Sequence, residues 1–150
     1  MEYTSHLPNP GGLAHDWLMK PNDESTIRVT DEMGGRSLTA RVHKAGDDVV
    51  VVVGGGDRPH VGCVVLSQPG RPRSSGAGFS VSSSVLTIVP HKEEPIARAV
   101  AERVCGDLGR VVVVTAGVHE DGIDRVGIQT YLRLGDELAS EVVKRLARLS

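Results

Sequence analysis

The segment FSVSSSVLTIVPHKEEPIARAVAERVCGDLGRVVVVTA, Phe79–Ala116, decides the fold. It opens on alternation: Val81, Ser83, Val85, Thr87 and Val89 fall on one face of a strand that Pro90 ends. The period then changes. Pro95 suits the first position of a helix, and Ile96, Val100, Val104 and Leu108 form its apolar stripe with Ala97 and Ala101 alongside. Gly109 can close that helix in the left-handed conformation. Arg110–Ala116 carries four consecutive valines and reads as a buried strand. Strand, helix and strand in this order predict a right-handed βαβ crossover.

On the N-terminal side the period is two. Ile27 and Val29 alternate with polar residues, Gly34-Gly35 supplies a turn, and Leu38, Ala40 and Val42 alternate again. Ala45-Gly46-Asp47 makes the next turn, and Val49–Val53 is a central strand. Gly54–Pro59 then forms a tight connection to a strand over His60–Leu66, which completes a four-strand antiparallel meander. Ser67–Gly78, rich in Pro, Gly and Ser, is expected to be a long flexible loop.

On the C-terminal side, Gly117–Arg133 is ambiguous, although Asp124 can cap a helix. Asp136–Leu149 is an amphipathic helix with Leu138, Val142, Leu146 and Leu149 inward. Residues 1–25 read as a flexible tail, and residues 26–150 as the domain. The expected class is α+β: one domain with a mixed, mostly antiparallel sheet and helices packed on one face.

Composition excludes several functions. The chain has 150 residues, 39% apolar but only 3% aromatic, so Val, Leu, Ile and Ala must build the core. A net charge of −2 and the lack of an aromatic RNA-binding motif argue against nucleic acid and against an anionic membrane surface. No apolar run approaches the roughly 18 residues of a membrane span, and the N-terminus lacks the pattern of a signal peptide, so a cytoplasmic protein is expected. Cys63 and Cys105 make no CxxC motif, and Cys63 lies within an apolar strand where a thiol is packing. Ser82–Ser84 lie in a strand and not in a nucleophile elbow.

Three segments carry polar residues that periodicity does not require: Gly54–Gly62, Pro90–Glu94 and Ala116–Asp121. Each follows a strong strand. If those strands share a direction, His60, His91 and His119 converge on one rim of the sheet, where ligands of α/β proteins commonly bind. Gly54–Gly56 lets a ligand approach the backbone, and consecutive N–H groups can cradle a phosphate, although the plain reading is a glycine-rich turn. Lys92, Arg58 and the imidazoles can neutralise an anion. The three histidines can instead hold a divalent metal, with Glu93 or Asp121 as a carboxylate ligand. Glu93 and Glu94 equally suit the start of a helix, where they favour its dipole.

Taken in order, PHVG at 59–62 after glycines, HKEE at 91–94, AxxxAERV in the helix, the VVVV strand and AGVHED at 116–121 resemble the LpdD-like prenylated flavin chaperone family, named after the D subunit of gallate decarboxylase. The resemblance spans about residues 26–149. It implies a non-catalytic accessory protein that binds reduced prenylated FMN, protects it and delivers it to a UbiD-type aromatic acid decarboxylase, with a flavin prenyltransferase as a further partner. The residues it marks for cofactor binding are His60, Gly62, His91, Lys92, Glu93, His119 and Asp121, with Gly55 and Gly56 more weakly. Pro90 departs from the pattern, standing where a glycine is expected. Two other classes stay open: a small metal-dependent lyase or hydrolase using His60, His91 and His119, and a purely structural decarboxylase subunit. A homodimer is one way to cover the edge of the sheet.

Overall fold

A computed structural model describes residues 25–33 and 35–149. The expectation for a tail at 1–25 therefore lies, except for Ser25, outside the described residues. The chain forms β1 (Thr26–Thr30), β2 (Ser37–Ala45), β3 (Asp48–Gly56), β4 (Cys63–Pro72), β5 (Phe79–Thr87), α1 (Glu94–Leu108), β6 (Val112–His119) and α2 (Arg125–Arg148). One six-stranded sheet runs in the order β1-β2-β3-β6-β4-β5. Only the β3–β6 pair is parallel, so the sheet is mixed and mostly antiparallel. Both helices pack on the sheet and on each other, so they cover the same face. The α+β architecture is the one expected.

The four-strand meander is corrected. β1, β2 and β3 form a meander, but β6 inserts between β3 and β4. Valine runs report that a strand is buried, not which strand lies beside it. The valine-rich β3 and β6 take each other as partners, with Val49–Val53 opposite Val112–Ala116. The βαβ unit likewise joins β5 and β6 across β4 and not as neighbours. Alternation sets the core. Val49, Val51, Val53, Val112, Val114 and Ala116 are at most 1% exposed beneath the helices, whereas Val50, Val52 and Val113 on the opposite face are half-buried. A one-residue slip would exchange these two sets, and each fully buried valine contributes about 1.5–3 kcal/mol.

Gly54–Pro59 is not the tight connection expected. Gly54–Gly56 continue β3, paired with Gly117, Val118 and His119, and the chain then passes over the end of β6 to reach β4. Strand β4 starts at Cys63, so His60 lies in that crossing segment. The expected loop at 67–78 is also corrected. β4 runs to Pro72 and pairs with β5, with an irregularity between Pro69 and Pro72; only residues 73–78 form the tip. Pairing of β4 with β6 ends at Ser67, so the prolines fall where one side of the strand has no ladder to lose.

The helices follow their stripes. α1 buries Ile96, Ala97, Val100, Ala101 and Val104, and Gly109 (φ 64°) closes it by donating to the Cys105 carbonyl. α2 is much longer than Asp136–Leu149: Asp124 caps it by accepting from the Gly127 N–H at 2.7 Å. Tyr131, Leu134, Leu138, Val142 and Leu146 are buried, while Leu149, expected inward, is 48% exposed. Val89, expected to extend one face of β5, lies beyond the strand and is 87% exposed.

Candidate functional site

β3, β5 and β6 all run in the same direction, because β4 is antiparallel to both β5 and β6 while β3 is parallel to β6. Their carboxyl ends share one rim, and the three polar segments meet there. The His60 and His91 ring centroids are 4.3 Å apart, and those of His60 and His119 6.4 Å. The convergence drawn from the sequence is therefore present, although the neighbours assumed for the strands were not.

Two glycines make the approach possible. A Cβ on Gly117 would stand 1.7 Å from the His60 carbonyl oxygen, so only glycine lets the crossing segment lie on β6. A Cβ on Gly62 would stand 2.6 Å from Glu93 Oε2, so Gly62 opens the space that the Glu93 carboxylate fills. Gly56 (φ 72°) turns the chain out of β3, and the following Asp57 N–H donates to the His119 carbonyl.

Glu93 immediately precedes α1, yet its side chain makes no capping hydrogen bond. It is 7% exposed and turns into the rim. Its Oε1 lies 3.1 Å from His60 Nε2 and 3.4 Å from His91 Nδ1, while His60 Nε2 and His91 Nδ1 are 3.0 Å apart. The Val118 N–H reaches Oε1 at 3.4 Å, and Oε2 is buried without a partner. Lys92 is exposed beside this trio. His119 stands apart from it. Its Nε2 lies 2.8 Å from Asp121 Oδ1 and 2.9 Å from Arg58 Nη2, and Arg58 also donates to Asp121 at 3.1 Å. The His119 hydrogen bond, then the charge of Arg58, holds the Asp121 carboxyl below the usual range. Of the expected set, the fold gathers His60, His91 and the carboxylate of Glu93, while His119 stands outside it.

The same two loops also line a cavity of about 500 Å³ that the sequence did not reveal. Gly54, Gly55 and Gly56 floor it, with Arg28, Arg36, Glu120 and Tyr131 among its walls. Of the residues marked for cofactor binding, only Gly55 and Gly56 line it; the others belong to the imidazole cluster or its edge. Arg36 holds Glu120 with two hydrogen bonds, at 3.0 and 2.7 Å, and Tyr131 donates to the same carboxylate at 3.0 Å. Arg36 therefore keeps the Glu120 carboxyl below its ordinary range, while burial and the bond to Glu120 push the Tyr131 phenol up. A glycine-flanked arginine in a turn gives no periodic signal, so Arg36 was missed. Glu120 was visible within AGVHED but read only for its neighbours. Cys63 is buried as expected, and burial raises its thiol.

Comparisons with known proteins give the family. The family described as the prenylated flavin chaperone LpdD-like domain matches residues 32–147, which include all three segments. Protein LpdD of Lactiplantibacillus plantarum is 27% identical over 117 residues, covering 78% of this chain and 82% of that protein. A solved chain from a novel chaperone complex for yeast 20S proteasome assembly superposes with a TM-score of 0.50 at 15% identity, over 81% of this chain and 96% of that one. That likeness concerns the fold alone.

Proposed function

Because the chain belongs to the prenylated flavin chaperone LpdD-like family, we propose that it binds prenylated FMN in its reduced form and hands it to a UbiD-type aromatic acid decarboxylase without catalysing a reaction itself. The observation that carries this reading is the rim where β3, β5 and β6 end. An imidazole cluster and a glycine-lined cavity are built from residues of the same two loops. A cavity of about 500 Å³ falls within the range of small-molecule sites. The side-chain-free stretch Gly54–Gly56 and the cations Arg28 and Arg36 line this cavity, which suits a phosphate. His60, His91 and His119, with Gly62, Glu93 and Asp121, form the polar edge that would meet the ring system, and Lys92 adds a mobile cation. Cradling without covalent attachment suits a carrier that must also release.

The face of the sheet opposite the helices presents half-buried Val50, Val52, Val64, Leu66 and Val113. It is a surface available to the receiving decarboxylase, to a flavin prenyltransferase or to a second copy of the chain, and the mass of the protein in solution separates the last of these from the others.

The test is anaerobic. The protein is mixed with reduced prenylated FMN or with FMN, then desalted. Retention of the prenylated cofactor, weakened in His119→Ala while the melting curve is unchanged, supports the reading. Retention of neither cofactor overturns it.

A further inference from the structure

We propose that His60, His91 and Glu93 form a binding site for one divalent first-row transition ion. The ligand atoms are His60 Nε2, His91 Nδ1 and Glu93 Oε1, and their separations are 3.0, 3.1 and 3.4 Å. An ion bound at roughly 2.0–2.2 Å spaces its ligands about 3.0 Å apart in an octahedral site and about 3.4 Å in a tetrahedral one. The triangle already present therefore needs no rearrangement to close on an ion.

The hydrogen bonding points the same way. His60 Nδ1 lies 3.1 Å from the Arg58 carbonyl oxygen, which can only accept, so Nδ1 carries the proton. In the neutral ring, Nε2 then presents a lone pair to the cluster. This is the arrangement of a metal-ligating histidine whose other nitrogen is fixed by a backbone carbonyl. With that tautomer, Nε2 and Glu93 Oε1 are two acceptors facing each other at 3.1 Å. A proton on His91 Nδ1 can serve one of them but leaves their mutual contact unrelieved. A dication between the three atoms relieves it.

Charge gives an independent reason. Glu93 is 7% exposed, its Oε2 has no hydrogen-bond partner, and its carboxylate is not used to cap α1. A buried carboxylate in this state needs a nearby cation. Lys92, the residue before it, is exposed. The imidazoles are 24% and 31% exposed, so solvent reaches the remaining coordination positions, which a water or another oxygen donor can fill. Imidazole and carboxylate ligands select ions of the zinc, iron and manganese type.

The site stands without the flavin reading, and its test uses no flavin. The full chain, made without a histidine tag and stripped with chelator, is titrated with Zn(II), and with Co(II) for its visible d–d bands. The expected result is one ion per chain and a raised melting midpoint. Affinity should be at least about tenfold weaker in His91→Ala and in Glu93→Gln, and unchanged for His43→Ala on exposed β2. If Glu93→Gln fails to fold by circular dichroism, His91→Ala decides, because its ring is partly solvent-exposed. Wild-type affinity in the variant that decides overturns the proposal and leaves an imidazolium–carboxylate pair in its place. Binding lost in His119→Ala but kept in Glu93→Gln overturns it too, in favour of a three-histidine set.

Discussion

Two glutamates sit at one rim of this sheet, and their surroundings differ. Glu120 is fully served: Arg36 holds both oxygens, and Tyr131 donates to one of them. Glu93 is more deeply buried, yet one oxygen meets two imidazoles and, at 3.4 Å, the Val118 N–H, while the other has no hydrogen-bond partner. The first arrangement fastens α2 to the loop after β6 and to the β1–β2 turn. The second aims a carboxylate oxygen and two ring nitrogens at one spot, which is what the proposed ion site requires. Burial alone does not separate a structural carboxylate from a functional one; the count of donors does.

The change expected to break both regions at once is Gly117→Ala. The added Cβ would meet the backbone of His60, which no rotamer change can relieve, and the crossing segment would lift from β6. The loss should be about 3 kcal/mol or more by denaturant titration, with loss of metal and flavin binding. A variant as stable as the wild type would mean that this segment is not held as described.

Next in size is Glu120→Gln. It removes the charge that Arg36 and Tyr131 address and should cost about 1–2 kcal/mol in urea titration. Acid tests the same contact. The Glu120 carboxyl lies below the ordinary glutamate value of 4.5 in the folded chain, held there chiefly by Arg36. Its contribution is thus fully present above the unfolded value and lost as pH falls through the folded one. The wild type should therefore lose stability below about pH 4.5 more steeply than Glu120→Gln, and parallel pH profiles would remove the contact from the account.

Glu93→Gln sharpens the contrast. In chelator-treated protein this change removes a buried charge that has no full partner, so stability should stay within about 0.5 kcal/mol of wild type or rise. With Zn(II) added, the wild type should gain stability and the variant should not. A loss as large as that of Glu120→Gln in the metal-free protein would mean that the imidazoles already neutralise Glu93.

How much of this could be read from the chain follows from what periodicity encodes. The stripe Ile96, Val100, Val104, the Gly109 stop and the burial of the valine strands were legible, because each is a local pattern with one physical solution. Strand order was not: the preference of β3 for β6 over β4 is a choice among equally apolar partners. Pro69 and Pro72 read as loop because proline removes a ladder donor, which costs nothing where the ladder is one-sided. The histidines were legible as a set because each lies in a segment that follows or ends a strand. Glu93 was legible both as a carboxylate ligand and as a helix-start charge, and the signal that it turns inward, the glycine at position 62, lies far away in sequence. Arg36 and the cavity beside it depend on a turn, α2 and the end of β3 meeting, and no single segment announces that.

The smallest effect belongs to Asp121, which lies at the edge of both regions. Its side chain is 75% exposed, and it touches His119 and Arg58 in solvent. Exposed pairs of this kind contribute little to folding, so Asp121→Asn should leave the melting midpoint within about 1 °C of wild type. The substitution still matters to His119. The carboxylate is the acceptor that both His119 and Arg58 address, and without its charge the His119 ring loses the partner that holds it. The expected outcome is a changed His119 imidazole resonance, with those of His60 and His91 unmoved. A shift in all three would show that the rim behaves as one cluster, and would weaken the distinction between His119 and the residues that gather around Glu93.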